Sequence, residues 1–180
     1  MIKILACVRG VDESSADDCI GQLKQLKFDV SVDIDSRSLE QKERDILLLG
    51  DRIKGEYDWI MTVDADTIIT LPKEEIEKRC EDIEINTFSF CGVLVQTHRH
   101  RMTKGVRFYR TSMCGLASEL IDGVNFCTNP PRASKYLLKY LTKKGFTNIT
   151  HKRGEKPLGI HLWYVNNKIN YKNIDWAIHP

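Results

Sequence analysis

The chain has 180 residues, 42% hydrophobic and 29% charged, which excludes a disordered tail and fits one domain with a sizeable core. Its 27 basic and 25 acidic side chains leave a formal net charge of +2, too balanced to imply a nucleic-acid footprint. No stretch approaches the ~20 apolar residues of a transmembrane helix, and the apolar run before Arg9 is too short for a signal peptide, so the expectation is a soluble, cytoplasmic protein.

In chain order, residues 2–8 read as a buried strand ending at Arg9-Gly10. Residues 12–27 suit a helix, with Ala16, Cys19, Ile20, Leu23 and Leu26 near 3.6-residue spacing. Residues 28–34 alternate Val30, Val32 and Ile34 as a strand, 40–54 form a second helix, and 59–63 a third strand with Asp64 at its end. Strand, helix, strand, helix, strand is the pattern of a parallel sheet covered by helices. Such sheets bind ligands beyond the carboxyl ends of their strands, where Arg9, Asp35 and Asp64 fall. Further on, 73–80 suits a helix, 87–96 and 106–112 suit strands, 132–144 a helix stopped by Gly145, and 160–165 a last strand. The basic segment His98 to Arg101 is expected to be a turn that touches the acceptor. The whole implies a mixed central sheet in one domain, 1–180.

Six cysteines (Cys7, Cys19, Cys80, Cys91, Cys114 and Cys127) contain no CxxC pair. Free thiols in a reducing compartment are expected, not zinc ligands. The sequon Asn148-Ile149-Thr150 would go unused there.

The central signal is Asp64-Ala65-Asp66 at the end of an apolar strand. Hard divalent cations such as Mg²⁺ and Mn²⁺ take oxygen ligands and keep positions open for phosphate oxygens. On that chemistry Asp66 binds the metal directly, and Asp64 holds a water or a ribose. The plain alternative is a pair of solvated loop acids.

The stretch Lys54-Gly55-Glu56-Tyr57 through Val63-Asp64-Ala65-Asp66 resembles the KGEY…LDAD segment of GT-A glycosyltransferases, family 2-like members especially, with a slightly longer spacing after Tyr57. The resemblance implies a GT-A-like three-layer α/β fold: a nucleotide-binding half over 1–66 and an acceptor and catalytic half over 67–180. It makes Arg44, on the preceding helix, a nucleotide contact. Leu120 to Cys127 is similar to a degraded EDVDFC segment, with Ile121 in place of the first acid, so only Asp122 carries over as a candidate base. Gly159-Ile160-His161-Leu162-Trp163 resembles the GHL near the end of such domains, which makes His161 a further metal ligand. His151 competes, because 151–157 is similar to the HxxGxxKP diphosphate motif of family 8, one residue short. Lys152, Arg153 and Lys156 would then stabilise the departing diphosphate. The small size and the order of these matches also resemble chlorovirus-encoded glycosyltransferases.

The implied function is transfer of a sugar from a nucleotide-sugar, a UDP-sugar by expectation, to a glycan or other hydroxyl. Arg9 and Asp35 would lie near base and ribose, with Mn²⁺ or Mg²⁺ on Asp64, Asp66 and His161. One rival is a haloacid-dehalogenase-like phosphatase with Asp64 as nucleophile, but no suitable later acidic pair follows. Another is a nucleotide-sugar-binding module without catalysis, which Ile121 favours. A nucleotidyltransferase lacks its Gly-rich phosphate loop near the first strand.

Overall fold

A computed structural model describes residues 2–11, 13–96, 101–129, 132–150 and 156–162. The elements, in order, are β1 (Ile4–Gly10), α1 (Ala16–Gln25), β2 (Asp29–Ile34), α2 (Leu39–Ile53), β3 (Trp59–Asp64), β4 (Thr67–Ile69), α3 (Lys73–Glu81), β5 (Thr87–Gln96), β6 (Arg101–Arg110), α4 (Thr111–Ile121), α5 (Ala133–Lys143), β7 (Thr147–Thr150) and β8 (Gly159–His161). They form one eight-stranded sheet in the order β2-β1-β3-β6-β5-β8-β4, with β7 paired to β5 off that path. The strands β2, β1 and β3 run parallel. On the other side β6 is antiparallel to both β3 and β5. The sheet is mixed, as the element pattern implied.

Register sorts the side chains onto two faces, because successive residues of a strand point opposite ways. Ala6 pairs with Met61 and Met61 with Phe108; these pack with Cys19 and Leu23 of α1 and Ile76 and Cys80 of α3. Ile60 pairs with Tyr109 on the opposite face, packing with Ile46 and Leu47 of α2, Cys114 and Ala117 of α4, and Leu137 and Leu141 of α5. Helices cover both faces, giving three layers. Each fully buried leucine-sized side chain contributes about 1.5–3 kcal/mol, so both cores are needed.

Three elements escape the sequence reading. Residues 106–112 read as one strand, yet β6 ends at Arg110 and α4 begins at Thr111. Apolar content in a central strand and in a buried helix looks alike over so short a span. Helix α4 packs on α2 through glycines: a Cβ on Gly50 would stand 2.5 Å from Cys114 Sγ, and one on Gly115 would stand 2.3 Å from Asp51 Oδ1. The short strands β4 and β7 carry too few residues to show a period. Of the basic segment 98–101, Arg101 opens β6; the other three lie outside the described residues.

All six cysteines are free and buried. Burial pushes the Cys7 thiol up to about 11 and that of Cys19 up to about 12, so neither is a thiolate at neutral pH. The Asn148 carboxamide accepts from Ser89 Oγ at 2.6 Å and donates to Thr142 Oγ1 at 2.6 Å, pinning β7 to β5 and α5. No described helix is long and apolar enough to cross a membrane.

Candidate functional site

The carboxyl ends of β1 and β3 open into a cavity of about 430 Å³. In the parallel register Arg9 is the partner of Asp64, so both side chains leave the sheet on one face. Arg9 Nε donates to Asp64 Oδ1 at 2.9 Å. Past the strand end, Ala65 N donates to Arg9 O at 2.9 Å, and Ser15 Oγ donates to Ala65 O at 2.8 Å. These bonds fix the turn that carries Asp64 and Asp66.

The Arg9 guanidinium is buried, and its Nη1 donates to Glu43 Oε1 of α2. Glu43 also accepts from Tyr109 Oη at 2.8 Å and from Ser134 Oγ of α5. Burial alone disfavours both charges, but each outweighs it for the other: Arg9 stays firmly protonated, helped by Asp64, and the Glu43 carboxyl is held below the usual carboxylate range. On the same helix the fully buried Lys42 ammonium donates to the carbonyls of Gly10, Asp33 (3.2 Å) and Asp35 (2.9 Å). It ties the tails of β1 and β2 together. Lys42 and Glu43 fall on the apolar stripe of Leu39, Ile46, Leu47 and Gly50, and charges on such a stripe are a readable signal that the sequence reading passed over.

Asp66 follows β3 and meets His161 through the antiparallel pairing of β4 with β8, where Thr67 is the partner of His161. Its Oδ2 lies 3.2 Å from His161 Nε2, and its carbonyl accepts from Leu162 N at 2.7 Å. The hydrogen bond to Asp66 raises the His161 imidazole above its ordinary value, against the opposing effect of burial. Asp66 Oδ1 and His161 Nδ1 are both buried without a hydrogen-bond partner among the described residues. A buried carboxylate oxygen that lacks a donor is costly unless a cation or water completes it, so this pair fits a hard divalent cation. No group of three or more His, Cys, Asp or Glu suited to a metal occurs among the described residues. The remaining positions would fall to water and phosphate oxygens, as is usual for Mg²⁺.

The same cavity is lined by Lys104 and Arg107 of β6 and by Arg132 and Lys135 at the start of α5. None of these four makes an ion pair among the described residues, and the sequence reading singled out none of them. They are drawn from two elements more than twenty residues apart in the chain, and only the fold gathers them.

The other expected residues lie elsewhere. Asp35 caps the turn after β2, where Arg37 donates to it from its backbone N at 2.9 Å and from Nε at 2.6 Å, holding the carboxyl below its usual range. Arg44 donates to the carbonyls of Ile121 and Val124, pairs with Glu40 at 3.1 Å, and stands over the Phe126 ring at 5.0 Å. Asp122 is the exposed cap of α4 and shares with Arg44 and Leu48 a shallow pocket separate from the Asp64 cavity. The structure therefore does not bring Arg44 or Asp122 to the carboxylate pair: the Arg44 guanidinium is engaged by backbone carbonyls, and α4 ends on another surface. Lys156 is exposed, 3.7 Å from Glu75. His151, Lys152 and Arg153 lie outside the described residues.

No protein family and no curated protein matches the sequence. Solved structures match in fold. A glycosyltransferase involved in glycosylation of the major capsid of PBCV-1 superposes with a TM-score of 0.52 at 12% identity, over 83% of this chain and 82% of that one. The catalytic domain of Drosophila β1,4-galactosyltransferase 7, in complex with xylobiose, gives 0.58 at 8% identity over 93% and 74%. The 2-C-methyl-D-erythritol 4-phosphate cytidylyltransferase of Francisella tularensis gives 0.57 at 8% identity over 88% and 94%. The chain has the GT-A-type nucleotide-diphospho-sugar transferase fold, which glycosyltransferases and cytidylyltransferases share.

Proposed function

We propose that this chain is a metal-dependent glycosyltransferase that moves a sugar from a nucleotide-sugar, a UDP-sugar in the first instance, to an acceptor hydroxyl. One observation carries the reading: a single cavity is lined by Asp64 and Asp66 and also by Lys104, Arg107, Arg132 and Lys135. Acids beside cations that make no ion pair among the described residues suit a diphosphate that arrives with a divalent metal. The cavity also draws on both halves of the chain, with 1–66 as the donor half and 67–180 as the acceptor half.

Asp66 and His161 would hold Mn²⁺ or Mg²⁺, with Asp64 beside them. When bound, the metal offsets charge that builds on the departing diphosphate. A solved variant of the Drosophila enzyme is a complex with manganese, UDP-Gal and xylobiose, with a TM-score of 0.55 to this chain, which supports a divalent metal here. Lys104, Arg107, Arg132 and Lys135 contribute fixed positive charge to the same leaving group. Asp35, at the carboxyl end of β2 but outside the cavity and engaged by Arg37, is not assigned a nucleotide contact. Asp122 is not assigned as a base, because it stands outside the cavity; a retaining course needs no strong base.

The test is a panel of nucleotide sugars with Mn²⁺, followed by thermal shift and by release of nucleoside diphosphate, with and without chelator. Release that ignores the chelator, or no stabilisation by any nucleotide, overturns the reading. The cytidylyltransferase likeness favours a second reading, nucleotidyl transfer to a phosphorylated alcohol. It is separated by its product: pyrophosphate from CTP instead of nucleoside diphosphate from a nucleotide-sugar.

A further inference from the structure

Behind the carboxylate pair, in the wall of the same cavity, stands a charged residue whose two oxygens are both engaged by neighbouring side chains. Glu43 is 1% exposed. One carboxylate oxygen serves Arg9 Nη1 and Ser134 Oγ, and the other accepts from Tyr109 Oη at 2.8 Å. Arg9 is the only one of these three that continues to Asp64, through Nε at 2.9 Å. A guanidinium is a rigid planar fork, so fixing one edge fixes the direction of the other. Arg9 Nη2 also reaches Ser134 Oγ at 3.4 Å. The first turn of α5, which lines the cavity with Ala133 and Lys135, is therefore held by the same carboxylate.

We infer that Glu43 is a positioning residue: it locks the plane of Arg9, and Arg9 in turn orients Asp64 so that Oδ1 is occupied and the second oxygen is left for the ligand in the cavity. A buried guanidinium needs its compensating charge close by. Asp64 cannot supply that alone, because its side chain is 46% exposed. Without the Glu43 charge, Arg9 gains by turning toward water, and Asp64 loses its fixed rotamer. The role of Asp64 toward the ligand rests on the function proposed above; the relay from Glu43 to Asp64 rests on the contacts alone.

The experiment uses the full chain with Glu43→Gln, Asp64→Ala and the double variant. UDP binding in the presence of MnCl₂ is measured by calorimetry, folding by circular dichroism and thermal melting, and the Arg9 Nε–H resonance by ¹⁵N NMR. The relay predicts that Glu43→Gln weakens UDP binding at least ten-fold. The double variant should bind no worse than Asp64→Ala alone, because both changes remove one pathway. A purely structural role gives losses that multiply instead, and that result overturns the inference, as does parental affinity in Glu43→Gln. Should Glu43→Gln fail to fold, Ser134→Ala loosens the same carboxylate, and its smaller loss must likewise vanish in the Asp64→Ala background. If the parent binds no UDP, the proposed function falls and the relay is read by NMR: the Arg9 resonance must move in Glu43→Gln as it does in Asp64→Ala. A resonance unmoved by Glu43→Gln refutes the relay.

Discussion

Asp66 Oδ2 stands 3.2 Å from His161 Nε2, and the contact exists because the three-residue strand β4 pairs with β8 with Thr67 opposite His161. The two residues are far apart in the chain, and a short antiparallel ladder places them together. Each still has one buried polar atom without a partner among the described residues.

Replacing Asp66 with Ala should therefore abolish Mn²⁺-dependent nucleotide binding, by roughly 100-fold or more, since even outer-shell partners of a metal cost 10–100-fold. The melting temperature should change little, because Asp66 is a partly exposed turn residue. Calorimetry with UDP and MnCl₂ checks both, and near-parental affinity would remove Asp66 from the site.

Gly159→Ala should disturb the same pair from a distance. A Cβ there would stand 2.1 Å from Ile68 O and 2.8 Å from Ile69 Cα, backbone atoms that cannot swing aside. The expected cost is about 1–3 kcal/mol or more, together with weaker metal affinity as β8 parts from β4. Thermal melts and a manganese titration read the two effects separately.

Arg44→Met should lower stability by about 1–3 kcal/mol, because it deserts the carbonyls of Ile121 and Val124. Nucleotide affinity should stay at the parental level. A selective loss of affinity with an unchanged melting temperature would return Arg44 to the nucleotide site.

Asp122→Asn should leave sugar transfer unchanged, since the carboxylate is an exposed helix cap outside the cavity. Initial rates with the donor found in the nucleotide-sugar panel test this, and a drop of tenfold would restore Asp122 as the base.

Stability should fall on the acid side through Glu43. Burial pushes its carboxyl up, but Arg9, Ser134 and Tyr109 more than reverse that, leaving it below the usual range. A depressed carboxyl stabilises the fold above its unfolded value, about 4.3, and that contribution disappears as pH falls through the folded value. Melting curves from pH 7 to pH 3 should show the gap between the parent and Glu43→Gln closing with acid. A gap that stays constant would mean that Glu43 is not charged in the folded protein.

Local pattern determined the alternating first half, β1 to β3, because strand and helix periods are written in the spacing of apolar residues, and it put Arg9 and Asp64 at the strand ends where ligands bind. It also marked Asp64 and Asp66 as acids delivered by an apolar strand. What only the tertiary structure decided was company. The cations Lys104, Arg107, Arg132 and Lys135 carry no local signature, and they become a group only when β6 and the start of α5 close on the same cavity. Arg44 and Asp122 were expected from a family resemblance, but Arg44 is engaged by the carbonyls of Ile121 and Val124, and both residues line a different pocket. Glu43, on which the sequence analysis placed no role, is buried under Arg9. A charge can be read from a sequence, whereas its partner is set by contacts between elements far apart in the chain, and in a low-dielectric interior the partner determines what the charge can do.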